Sequence, residues 1–324
     1  MLDRALVEQW SDPCWRLDNL YWVKDKSGNA VKFQMNWAQR RLMSDMWYLN
    51  LILKSRQLGM TTFIQLYMLD SCLFNSNTSA GVIAHNREDA EAFFADKIKF
   101  AYDRLPEALK QRIPATTDSA KTLEFSNGSK IRVGTSLRSG TFQLLHVSEF
   151  GKVCAKYPEK AQEIVTGAFN AVQAGQFIFV ESTAEGNSGQ FFDMCEKAQN
   201  DEREGRKLTK LDFKFHFFAW WQDAFCRLDD EDTASTVLTS DDLKYFAEVE
   251  AITGVKLDAN QRAWYVKKAQ TQKGKMKREY PSTPKEAFEA AIEGAYFTTE
   301  MAKVREQGRI LSLIHISEPT RQEA

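Results

Sequence analysis

The sequence predicts an α/β fold, a mostly parallel sheet flanked by helices and followed by a smaller helical region. Three observations lead to it. Residues 144–147 and 177–180 are short runs, apolar apart from His146, as in central strands of a parallel sheet buried on both faces. Strand candidates alternate with helical segments as far as about residue 218, an order that calls for right-handed crossovers. Beyond Trp221 the strand pattern gives way to amphipathic helical stretches.

Residues 10–33 mix aromatic residues with the turn signal Lys26-Ser27-Gly28-Asn29 and predict a short hairpin or strand–loop lead-in. A strand over 48–53 and a helix over 61–74 follow, then a strand over 81–84 and a helix over 88–105 that opens on acidic residues, as helix starts prefer. Residues 123–125 and 130–133 flank Asn127-Gly128, the signature of a hairpin turn. Residues 238–252 and 259–269 are amphipathic helices, the first with Asp241 and Asp242 where an N-terminal turn favours acids. Tyr280-Pro281-Ser282-Thr283-Pro284 ends this region, and Pro284 opens a helix over 285–291. There is no internal repeat and no low-complexity segment.

The chain has 324 residues, 43% hydrophobic and 27% charged, long enough to bury a sizeable core without disulfides or a structural metal. Its five cysteines are dispersed with no CxxC pair, the pattern of reduced, mostly buried thiols rather than of a zinc site. No run is long and apolar enough to span a bilayer, and the N-terminus, with Asp3, Arg4 and Glu8, lacks the apolar core of a signal peptide. The protein is expected to stay in the compartment where it is made. The formal net charge of −1 announces no nucleic-acid partner, so any such contact has to come from local features.

The segment with most chemistry is Lys54-Ser55-Arg56-Gln57-Leu58-Gly59-Met60-Thr61-Thr62. It falls between a strand and a helix, where backbone N–H groups and a helix N-terminus hold anions. Aligned on Gly59 with the phosphate-loop pattern GxxxxGK[ST], Met60 stands at the lysine position, Thr61 at the magnesium-binding hydroxyl and Lys54 at the first glycine. The tight glycine turn, the hydroxyl and a cation at the far end of the loop are all kept; the other reading is a basic loop between a strand and a surface helix. A second element, Leu144-Leu145-His146-Val147-Ser148-Glu149, is a strand ending in a hydroxyl and a carboxylate. Phosphate-loop enzymes need this layout beside the loop strand, to hold magnesium and polarise water. A third, Phe177-Ile178-Phe179-Val180-Glu181-Ser182-Thr183-Ala184-Glu185-Gly186, runs from an apolar strand into small hydroxylated residues; it also reads as a plain βα turn.

In this order the segments resemble those of phage large terminase subunits, the ATPases that package viral DNA. Residues 54–62 resemble the family's deviant Walker A loop, with its lysine shifted to the loop's start. His146-Val147-Ser148-Glu149 is similar to its Walker B strand and Ser182-Thr183-Ala184-Glu185-Gly186 to its coupling motif. Phe33-Gln34-Met35-Asn36-Trp37-Ala38-Gln39 resembles the adenine-recognising segment. His216-Phe217-Phe218-Ala219-Trp220-Trp221 and the stretch from Arg278 to Phe288 resemble two further family segments. The likeness runs from about residue 31 to 297.

The resemblance implies a RecA/ASCE-like P-loop NTPase core over 31–225, after a lead-in over 1–30, and a helical lid or linker over 226–300. Lys54 would bind the β- and γ-phosphates of ATP, within a loop comprising Ser55, Arg56, Gln57, Leu58, Gly59, Met60, Thr61 and Thr62, and Gln39 would contact the base. Thr61, helped by Ser148, would ligate Mg, and Glu149 would activate water. Arg56 would stabilise charge on the γ-phosphate, or else form a structural ion pair. Ser182, Thr183, Ala184 and Gly186 would couple hydrolysis to motion. The implied partners are double-stranded DNA, the portal protein, the small terminase subunit and further copies of the chain in a ring on the procapsid, in the host cytoplasm and without a membrane.

Lys267, Lys268, Lys273, Lys275, Lys277 and Arg278, beside Trp264 and Tyr265, make a basic stretch that would suit DNA phosphates; read simply, it is a solvated helix end. The resemblance also implies a nuclease domain; with few residues after 297, neither that domain nor endonuclease activity is expected in this chain. Residues 311–321 resemble the translation of a transposase-end adapter used in sequencing libraries, so the natural frame is expected to end near residue 310 and His315 to have no role. Two other readings of the whole chain are a different P-loop translocase such as a helicase, for which no second set of motifs is present, and a non-hydrolysing interaction module. Met60 and Ser148 favour that module, and Glu149 opposes it.

Overall fold

The computed structural model describes residues 4–138 and 140–289. The tail over 301–324, with the adapter-like stretch and His315, lies outside the described residues, as does the end of the helix expected to reach residue 291.

Two short strands, β1 (Trp22–Lys24) and β2 (Ala30–Lys32), form the hairpin expected around Gly28. The remaining strands are β3 (Leu49–Lys54), β4 (Ser79–Ile83), β5 (Ala115–Asp118), β6 (Thr122–Phe125), β7 (Lys130–Gly134), β8 (Phe142–Ser148), β9 (Val172–Ser182) and β10 (Phe213–Phe218). They build one sheet in the order β10-β3-β9-β8-β4-β7-β6-β5. From β10 to β7 every pairing is parallel, while the hairpins β5–β6 and β6–β7 extend the sheet antiparallel. The fold is therefore the mostly parallel α/β sheet that the apolar runs predict; β3 and β4 are buried along their length, as are β8 from Leu144 and β9 from Ile178.

Two of the expectations need correction. The lead-in is not only a hairpin, because helices Arg4–Ser11 and Pro13–Leu20 precede it. The local signal is Asp12-Pro13: the aspartate caps by accepting from Cys14 N at 2.9 Å, and proline takes the first helical position. Nor is the strand that ends in Ser148-Glu149 beside the loop strand. β9 lies between them, with Glu181 in register with Ile52 of β3 on one side and with Ser148 of β8 on the other. The helix over 88–105 forms as Arg87–Phe93 and Phe100–Asp103, joined by a π-helical turn at Phe94–Lys99.

The N-terminal helices are built into the core. Leu17, Leu20 and Tyr21 are buried with Phe63, Leu66 and Leu69 of helix Met60–Phe74, on the sheet face that carries Ile52, Leu144 and Phe179. A second cluster covers the opposite face through Leu51, Leu53, Val147 and Val180, and there Ala287 and Phe288 of helix Pro284–Glu289 pack back onto the sheet. A third belongs to the C-terminal helices Ser240–Thr253 and Ala259–Gln272, where Phe246 and Tyr265 surround Trp220. Ser282 fastens this cluster: its hydroxyl accepts from Trp220 Nε1 at 2.8 Å and lies 2.7 Å from the Tyr245 hydroxyl, and its carbonyl accepts from Trp221 Nε1 at 3.0 Å. The two downstream motif segments thus meet each other. Four of the five cysteines are buried and Cys14 is half-buried. Among the described residues, no helix is long and apolar enough to cross a membrane.

Candidate active site

Parallel sheets place ligands at the carboxyl ends of their strands, and here β3, β8 and β9 end together. Side chains alternate between faces, so Lys54 of β3, Ser148 of β8 and Glu181 of β9 all point to the face covered by helix Met60–Phe74. The loop linking β3 to that helix is shaped by two left-handed residues, Gln57 (φ 64°) and Gly59 (φ 67°). Glycine is required at the second: a Cβ there would stand 2.7 Å from Gln39 Nε2. Ser55 N and Arg56 N donate to Phe218 O and Glu279 O, at 2.8 and 3.0 Å. Among the described residues, no backbone carbonyl takes the N–H groups of Gln57, Gly59, Met60 or Thr61, and no side chain caps the helix that Met60 begins. A ring of amides at an uncapped helix N-terminus is an anion cradle.

The missing loop lysine has a structural explanation. Met60 is 1% exposed and sits in the core beneath the helix, so its side chain points away from the cradle. The cation comes instead from Lys54, whose Nζ lies 3.1 Å from Glu181 Oε2 and 3.4 Å from Glu149 Oε1. Burial by itself would lower the lysine's pKa, but the charges of Glu181 and Glu149 raise it. Glu181 is fully buried; burial alone would raise its pKa, yet the Lys54 charge and the neighbouring His146 and Thr61 hold it well below the usual carboxylate range. Lys54 and Glu181 are thus a buried, ionised pair.

Glu149 sits where the chain leaves β8, in the left-handed conformation (φ 54°, ψ 43°). Such a non-glycine residue costs of order 1–3 kcal/mol and is typical of sites whose geometry is held by their surroundings. Burial pushes its carboxyl above the ordinary range, with Lys54 opposing. The helix that follows, Phe150–Lys156, begins against the end of β9 at Gly151, whose N–H donates to Ser182 Oγ at 3.1 Å and whose Cβ would meet Thr183 O at 2.9 Å. Ser182, Thr183 and Ala184 are buried under this contact, and Gly186 turns the chain with φ 92°.

Of the other expected residues, Gln39 is fully engaged. Its Oε1 accepts from Asn36 N and its Nε2 donates to Gly59 O, both at 2.9 Å, so it bolts the loop glycine to the N-terminus of helix Trp37–Asp45. Arg56 forms an ion pair with Glu279 rather than standing free. Glu279 also receives Arg278 at 2.7 Å, and Arg278 reaches Glu185 at 2.8 Å. This chain of charges ties the loop to the C-terminal helices and to the segment after β9. Lys267, Lys273, Lys275 and Lys277 are exposed, but Tyr265 is buried in the C-terminal cluster and Arg278 is spent on carboxylates, which favours the solvated-face reading of the basic stretch.

Glu181 is the residue that sequence reasoning passed over. It lies one place before the hydroxyl run, where it reads as the start of a turn, whereas β9 continues through it to Ser182. The available signal was a lone carboxylate closing an apolar run.

Glu279 is 3% exposed; burial opposes its ionisation, but Arg56 and Arg278 hold its pKa below the ordinary value. Glu279→Gln is expected to cost about 1.5–3 kcal/mol, the usual worth of hydrogen bonds to charged groups, measured by urea unfolding at pH 7. A depressed carboxylate contributes stability above its unfolded pKa of about 4.3 and loses it as pH falls further. The gap between wild type and variant should therefore be full at pH 7 and narrow below about pH 4.3.

No family model matches the sequence. Among solved structures, the large terminase ATPase domain of Thermus phage P74-26 is similar at 13% identity and a TM-score of 0.47, over 77% of this chain and 94% of that one. A single-substitution mutant of the same domain gives 13% identity and a TM-score of 0.46 over the same shares.

Proposed function

We propose that this chain is a magnesium-dependent ATPase, the motor domain of a phage large terminase, and that it drives double-stranded DNA into a procapsid. The observation that carries the reading is the meeting of Lys54, Glu149, Glu181 and Thr61 around an open amide cradle at the ends of β3, β8 and β9. The triphosphate lies on the amides from Gln57 to Thr61, with Lys54 turning from its carboxylates to the β- and γ-phosphates. Glu149 takes a proton from the attacking water, and its strained backbone holds it at the mouth of the site. Arg56 is half-exposed beside the loop and stabilises γ-phosphate charge when it leaves Glu279. Gln39 sets the loop's position and borders the base.

The donor set fits magnesium: hard oxygen atoms from Thr61 and Ser148 with carboxylates behind them, and few protein ligands, as suits an ion that keeps its waters and substrate phosphates. Among the described residues no cluster of three or more acidic, histidine or cysteine side chains forms a cage for a metal. Magnesium bound there supplies neutralisation of phosphate charge. The contact of Gly151 with Ser182 and Thr183 links the water-activating glutamate to the coupling segment, and the Glu185–Arg278–Glu279–Arg56 chain carries that change to the C-terminal helices, the lid. The motif resemblance to large terminases supports DNA, the portal, the small subunit and neighbouring copies in a ring as partners, and the host cytoplasm as location.

The test is phosphate release from Mg·ATP by wild type and Glu149→Gln, with and without linear double-stranded DNA. The variant is expected to bind ATP and lose about 10²-fold or more in turnover, as for removal of a general base, and DNA should stimulate the wild type. A wild type that binds ATP and never turns it over, even with portal and small subunit added, would establish the non-hydrolysing module instead.

A further inference from the structure

Ser148 stands at a strand end where P-loop enzymes commonly carry an aspartate next to magnesium, and a serine brings no charge. The neighbouring strand brings one. Glu181 Oε1 accepts from Thr61 Oγ1 at 2.6 Å and from Ser148 Oγ at 2.9 Å, with His146 Nε2 3.5 Å away, while Oε2 faces Lys54 at 3.1 Å. A hydroxyl has one proton to donate and two lone pairs. With both protons spent on one buried carboxylate, Thr61 and Ser148 have only lone pairs to turn toward the cradle, and lone pairs call for a cation. Register fixes the arrangement, because Glu181 pairs directly with Ser148.

Resting on the ATPase reading, we infer that Glu181 is the positioning residue of the magnesium site: the carboxylate that orients both hydroxyls and supplies the negative charge has moved from β8 to β9. It does not touch the reacting atoms; it acts through Thr61 and Ser148. Its work is done when metal binds, so its loss should appear in metal-dependent binding before any turnover.

The experiment is equilibrium binding of ATPγS to the full chain with Mg²⁺ and with EDTA, for wild type, Glu181→Gln and the double variant Ser148→Asp/Glu181→Gln, with folding checked by thermal melts. Glutamine keeps the shape and the acceptor oxygen but loses the charge. It is expected to reduce the enhancement by Mg²⁺ by about 10- to 100-fold, as for other outer-sphere partners of metal sites, without weakening binding in EDTA. The double variant returns a carboxylate to β8 and keeps the net charge of the cluster, so it should restore the enhancement. A folded Glu181→Gln protein that keeps the full enhancement overturns the inference, as does a folded double variant that lacks it. If Glu181→Gln does not fold, the double variant decides alone on the same criterion. A wild type that binds ATPγS in neither condition overturns the ATPase reading itself, and this inference with it.

Discussion

Lys54→Ala is expected to abolish magnesium-dependent ATP hydrolysis, with a loss of about 10²- to 10³-fold in kcat, the scale for removing one preorganised group that stabilises transition-state charge. Lys54 is the cation that stands at the strand end beside the cradle, while Met60, at the usual lysine position, is buried in the core. The replacement also strands Glu181 as a buried carboxylate without its cation, and breaking such a pair costs about 3–5 kcal/mol. Lys54→Arg separates the two effects. It keeps a positive charge beside Glu181, so much of the stability should return, but a broad guanidinium cannot present the same compact charge to the phosphates. Hydrolysis should stay low while the melting temperature recovers. If Lys54→Ala folds and turns over ATP at the wild-type rate, the loop does not bind phosphate in the way described.

The second large effect is on stability and lies far from the cradle. Arg16 of the N-terminal helix Pro13–Leu20 forms a paired contact with Asp70 of helix Met60–Phe74, Nε to Oδ1 at 2.9 Å and Nη2 to Oδ2 at 2.7 Å. Its Nη1 donates to Trp10 O at 2.7 Å, and the Tyr21 hydroxyl donates to Asp70 Oδ1 at 2.8 Å. Arg16 and Asp70 are 5% and 1% exposed, so removing either partner leaves the other charged and dry. Arg16→Met should destabilise by about 3–5 kcal/mol, a fall of the order of 10 °C in Tm for a chain of this size. Arg16→Met, Tyr21→Phe and Asp70→Leu together remove every polar member and should recover most of the loss, since a buried ion pair replaced by apolar groups is often neutral or better. A single variant that melts with the wild type would show that the Arg16–Asp70 pair adds nothing to stability.

Much was legible in the sequence because the signals are local. The apolar runs of β8 and β9, the Asn127-Gly128 turn and the amphipathic helices each depend on a few neighbouring residues, and each appears close to its expected limits except β9, which begins earlier, at Val172. The cradle was legible too, since a strand, a glycine turn and a hydroxyl are consecutive in the chain. Even the N-terminal helix could have been found from Asp12-Pro13.

What tertiary structure alone decided was adjacency. Nothing in the segments themselves tells that β9 threads between β3 and β8, since strand order follows from crossovers and register rather than from any short motif. That insertion is what turns Glu181 from the first residue of a turn into the buried partner of Lys54, Thr61 and Ser148. Long-range pairing likewise gave Arg56 its partner Glu279, 223 positions away, and put the amide of Gln39 on Gly59. The sequence determined which chemical groups were available and the elements that carry them. Folding decided which of those groups meet, because a charge's partner is fixed by its distance in space and the chain records only distance along itself.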